Sequence, residues 1–152
     1  MKIQIVLAAV ALVSAPTASA KNNVDPDGSC DHYLPLAKFK QLDAAAGNRT
    51  AAMKLATDAL NDYGLKCSAY KKNPSQVGPT YSDYVASAKD LEAKSKAFYQ
   101  ANEKALKPLQ DFIALYDPKG TDACLGRLKF FEAVVMHGSM DAKSSPAVPE
   151  CK

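Results

Sequence analysis

The chain has 152 residues, of which 47% are hydrophobic and 23% charged, and its formal net charge is +3. That length suits one domain with one core, and the mixing of both charge signs along it excludes the basic stripe of a nucleic-acid or anionic-membrane binder. Frequent alanine, no tryptophan and few period-two runs of β-branched residues point to helices and leave no segment that reads as a strand.

In chain order, the first expected element is a signal peptide over residues 1–20. Met1-Lys2 is a short charged start, and Ile3 to Val13 is apolar except for Gln4. Ser14, Pro16 and Thr17 break that run before Ala18-Ser19-Ala20, which has the small-x-small pattern of a cleavage site. The apolar run is too short to span a bilayer. Export to a secreted or periplasmic location is the expectation, and the four cysteines agree with it: Cys30, Cys67, Cys124 and Cys151 form an even set, as two disulfides require. None has the CxxC spacing of a redox or zinc motif.

Lys21 to Ser29, with Pro26 and Gly28, reads as a flexible arm. A first helix is expected over about Leu34–Ala46, with Leu36, Phe39, Leu42 and Ala46 as its apolar stripe and Gly47 as its stop. A second begins at Asn48 or Thr50, either of which can cap, and ends before Gly64; its inner face uses Ala52, Leu55, Ala56, Ala59 and Tyr63. Ser68 to Pro79 reads as a loop. A third helix opens at Thr80-x-x-Asp83 and extends to Tyr116. Its seam of Tyr84, Ala88, Leu91, Ser95, Phe98, Asn102, Ala105, Leu109, Phe112 and Tyr116 alternates steps of four and three, and Pro108 should kink or split it. Polar Asn102 in that seam either fixes register or faces solvent at its edge. Thr121 can cap a fourth helix that runs to His137, with Cys124, Leu128, Phe131 and Val135 as its seam, widened by Leu125 and Val134.

Four apolar stripes with short connections predict an all-α, up-down four-helix bundle over residues 30–138, followed by an irregular tail over 139–152 tied by Cys151. The seam also suits a two-chain coiled coil, but the other helices need partners for their own stripes, which favours a monomer. Three disulfide connectivities exist. A hairpin of the first two helices would bring Cys30 beside Cys67, and a tail folding back along the last helix would bring Cys151 to Cys124. Cys30–Cys67 with Cys124–Cys151 is therefore the favoured pairing, and Cys30–Cys151 with Cys67–Cys124 is its rival.

Chemistry is sparse. His32 and His137 are the only histidines, no serine sits in a nucleophile-elbow context, and no carboxylate falls on an apolar face. No catalytic residue and no cofactor is expected. Met136-His137-Gly138-Ser139-Met140 has thioether and imidazole groups that suit copper(I), and His137 is the one histidine placed to hold haem between helices. Met136 is also an expected core residue, and His137 is an ordinary residue for the C-terminal end of a helix. Asn48-Arg49-Thr50 is a glycosylation sequon in a eukaryotic host and an ordinary cap in any other. Tyr70, Lys71, Lys72, Tyr81 and Tyr84 bracket the long loop and combine the residue types that protein-binding surfaces favour. The leading expectation is an exported, non-catalytic protein (inhibitor, immunity-type partner or effector) that recognises a protein partner through those five residues. A small-ligand or metal carrier is the alternative.

Overall fold

The computed structural model describes residues 21–116, 122–143, 148, 150 and 151. The expected signal peptide lies outside them. A 3-10 turn over Asp31–Tyr33 precedes three helices: α1 (Ala37–Lys72), α2 (Pro79–Leu115) and α3 (Ala123–Lys143). The all-helical class stands, but the expected four helices are three among the described residues.

The difference lies in α1, which runs through both Gly47 and Gly64. A glycine costs a helix about 1 kcal/mol, which by itself does not end one, and no proline interrupts the chain between Pro35 and Pro74. The inward positions Phe39, Leu42, Ala46, Arg49, Ala52, Ala56, Ala59 and Tyr63 keep steps of three and four across Gly47. One uninterrupted stripe therefore meets the long stripe of α2. At Gly47 the missing side chain makes room for Asn23, whose Nδ2 would lie 2.9 Å from a Cβ there. Asn48 and Thr50 consequently sit in mid-helix and cap nothing. Leu55, expected to face inward, is exposed, as are Val134 and Met136 on α3. Pro108 lies within α2 without splitting it.

Helices α1 and α2 form an antiparallel hairpin, each roughly 54 Å long at 1.5 Å per residue. Helix α3 covers only the half of this hairpin nearest the chain's start, running antiparallel to α2 from Cys124 beside Phe112 to Gly138 beside Asn102. That half holds the main core: Cys30, Tyr33, Phe39, Leu42, Leu109, Phe112, Cys124, Leu125 and Leu128. Tyr33, Phe39 and Phe112 meet there with ring centroids 5.2 to 6.1 Å apart. A smaller cluster in the other half joins Ala59, Tyr63 and Leu91, and the C-terminal segment contributes Val148 to it.

The disulfides are Cys30–Cys124 and Cys67–Cys151, with Cα atoms 4.8 Å and 5.6 Å apart. This corrects the pairing expected from a short first hairpin. With α1 continuous, Cys30 and Cys67 lie at opposite ends of one long rod and cannot approach bonding distance. Cys30 instead meets the start of α3, and the tail beyond α3 carries Cys151 on to the hairpin's far half.

The segment before Cys30, expected to be a flexible arm, is folded onto the bundle. Asp25 is fully buried. Its carboxylate accepts hydrogen bonds from Ser29 Oγ, from the Cys30 backbone N–H at 3.0 Å and from Arg127 Nη1 at 2.7 Å. Asn23 donates its backbone N–H and its side-chain amide to Asp43 on α1. Burial alone would push the Asp25 carboxyl up, but the bonds from Ser29 and Cys30 and the charge of Arg127 outweigh it and hold the group below its ordinary value.

Candidate functional site

The connection between α1 and α2 is residues 73–78, half the length expected, because α1 continues through Tyr70 to Lys72. The chain turns back on two local devices. Asn73 donates its backbone N–H to the Tyr70 carbonyl at 3.1 Å, and Ser75 Oγ donates to the Val77 carbonyl at 2.9 Å. Gly78 has φ 105°, a backbone region closed to most side chains, and Pro79 then opens α2 in the first turn, where its missing N–H costs nothing. Thr80 therefore lies inside the helix and supplies no cap.

This tight turn brings three of the five expected partner-binding residues together. Tyr70, on the last turn of α1, stacks on Tyr84 with centroids 5.1 Å apart and planes 10° from parallel. Tyr81, on the first turn of α2, lies 5.8 Å from Tyr70 and 6.3 Å from Tyr84. All three rings are half-buried, so each packs on its neighbours while keeping part of its surface in solvent. Lys71 and Lys72 are exposed beside them on the last turn of α1, where cations also complement the helix dipole.

The rings rest on Tyr63, which the sequence placed on an inner face, and on a disulfide that the sequence pattern did not place there. Tyr63, one helical repeat inward from Tyr70, is buried 5.9 Å from Tyr84. Burial, and then the neighbouring Tyr84, push its hydroxyl above the ordinary tyrosine value. The Cys67–Cys151 disulfide lies in the same layer, and Cys151 donates its backbone N–H to Tyr84 Oη at 3.4 Å. A signal for Tyr63 was present, since Tyr63, Cys67 and Tyr70 follow one another at helical steps of four and three. Nothing in the sequence places Cys151 there, because its position depends on where α3 ends.

The other flagged residues fall elsewhere. Met136 and His137 are exposed on α3, and the side chain of Met140 lies outside the described residues. No group of three or more His, Cys, Asp or Glu side chains comes together in metal-binding fashion among the described residues. His32 lies 3.3 Å from Asp122, which also accepts the Tyr33 hydroxyl at 2.9 Å and the Leu125 backbone N–H at 3.1 Å. Asp122 thus caps α3. Burial raises its pKa, but the donors Tyr33, Leu125 and His32 more than reverse that and leave it lowered. The same contact, together with burial as the larger effect, pushes the Tyr33 hydroxyl up to about 12. These contacts tether the chain's start to the head of α3. Comparison with known protein families, with curated proteins and with solved structures finds no match to this chain.

Proposed function

We propose that this is an exported, non-catalytic binding protein that recognises a protein partner with the tip of the α1–α2 hairpin. The observation that carries the reading is the Tyr70–Tyr81–Tyr84 ring cluster, half-exposed, flanked by Lys71 and Lys72 and fastened from behind by a disulfide. Tyrosines held rigid before binding bury large area at small entropic cost, and interface hot spots are enriched in them. Two disulfides support an oxidising compartment, whose redox poise preserves such bonds. No described helix is long and apolar enough to cross a membrane.

The test is paired affinity capture from the protein's own extracellular or envelope fraction. The wild type is compared with a variant in which Tyr70 and Tyr81 become Ala and Lys71 and Lys72 become Glu. Tyr84 is left intact because it packs on the core. A partner held by the wild type should be lost from the variant while both give the same helical circular dichroism. Retention of that partner at equal yield overturns the reading.

A further inference from the structure

At the middle of the molecule, where Gly138 of α3 lies against Asn102 of α2, one cation is buried with no carboxylate beside it among the described residues. Arg49 projects from α1 with only 8% of its surface exposed. Its Nε–H donates to Asn102 Oδ1 on α2 at 2.6 Å, and its guanidinium carbon lies 5.4 Å from the ring centroids of both Phe98 on α2 and Phe131 on α3. No carboxylate lies within ion-pairing distance of it among the described residues, and its two terminal nitrogens make no hydrogen bond there. Asn102 is fully buried, and its Nδ2 is likewise without an acceptor. Its orientation is set by the bond from Arg49, so turning the amide over would sacrifice that bond.

Burying an unpaired charge is costly, and buried donors without acceptors add to the cost. Two ring faces offset part of it, since each attracts a cation; among the described residues only Asn102 Nδ2 is a fully buried donor without an acceptor, so the outer edge of the guanidinium keeps the residue's small solvent contact and is the part a ligand can reach. We propose that the Arg49 guanidinium edge, bordered by Phe98 and Phe131, is a binding site for an organic monocarboxylate. The guanidinium fork matches a carboxylate with two parallel N–H···O bonds. One cation balances one negative charge, whereas a phosphate dianion would need more. The aromatic borders favour a ligand with an apolar body attached to its carboxylate. Asn102 positions Arg49 through the bond to Nε. Gly138 adds a reason to regard this place as shaped: a Cβ there would stand 2.7 Å from Asn102 Nδ2, so the backbone of α3 closes directly over the amide. The site is remote from the tyrosine tip and does not depend on the function proposed for it.

The experiment is a titration of the full disulfide-bonded chain with octanoate, followed by nuclear magnetic resonance at the Arg49 Nε–H and the Asn102 side-chain amide. Octanol, which has the same chain and no charge, is the control. Octanoate should give saturable shifts centred on those two groups, and octanol should not. Arg49→Met should weaken octanoate at least tenfold. Asn102→Asp, which brings a carboxylate to the guanidinium from within the protein, should do the same while the chain stays folded, so the proposal does not hang on one variant. Absence of a saturable shift at Arg49 in the wild type, equal response to octanol, or undiminished binding in folded Asn102→Asp overturns it.

Discussion

At the residue scale, a few buried polar groups add to the apolar contacts that hold this molecule together. Asp25 and Asp122 are both carboxylates whose donors lower their pKa despite burial. Their stabilising contribution is therefore present above the ordinary aspartate value of 3.8 and is lost as pH falls through their lower folded values. Tyr33 has the opposite sign. Its folded pKa is about 12 against an ordinary 10.0, so its contribution is complete below pH 10 and drains away between the two values. Denaturant titration across pH should show this directly. Tyr33→Phe should cost about 1.5–3 kcal/mol at pH 7, the range for a hydrogen bond to a charged group, and that deficit should shrink towards pH 12. A deficit independent of pH would show that the hydroxyl of Tyr33 is not the group responsible. These partners were not legible in the sequence. His32, Tyr33 and Asp122 are brought together across a separation of about ninety residues, and no local pattern encodes that.

At the scale of elements, the two glycines of α1 show how a correct local rule yields the wrong boundary. Glycine is a common helix terminator, yet the inward stripe stays in phase across Gly47, and burial along a continuous stripe outweighs a penalty of about 1 kcal/mol. The two positions should respond differently to alanine. Around Gly64 nothing lies within 4 Å of an added Cβ, so Gly64→Ala should stabilise by about 0.5–1 kcal/mol through helix propensity and unfolded-state entropy. Gly47→Ala should fall short of that gain, because its Cβ forces Asn23 away from Asp43. Urea midpoints of the two variants check this; equal gains would mean that the Asn23 contact carries no stability. Most of the long seam of α2 was legible because its steps of four and three never lapse, though buried Ser87 falls outside it and Tyr116 lies just past the helix's end. The turn at its head was misjudged in length because Ser68 to Lys72 carry no helix-breaking residue and simply extend α1.

At the scale of the whole molecule, the two disulfides do different work. Cys30–Cys124 lies in the main core, whereas Cys67–Cys151 fastens the C-terminal segment across the half of the hairpin that α3 leaves uncovered. Each closes a long stretch of chain, worth about 4.5 kcal/mol on the chain-entropy model. Replacing Cys67 and Cys151 together by Ser should raise amide hydrogen exchange in the tip half of α1 and α2 while the half under α3 stays protected, since the two clusters can open separately. Uniform loss of protection would show that the hairpin opens only as one unit. By itself the sequence determined the helical class, the use of all four cysteines in bridges, the seam of α2 and the tyrosines at the turn, because each is written in local periodicity, residue type or an even count. Only the tertiary structure decided the number of helices, the disulfide partners, the folding of residues 22–30 onto the bundle and the burial of Arg49 against Asn102. Those depend on which distant surfaces meet once α1 is a single rod, and free energy gained between segments far apart in the chain has no signature in any short stretch of it.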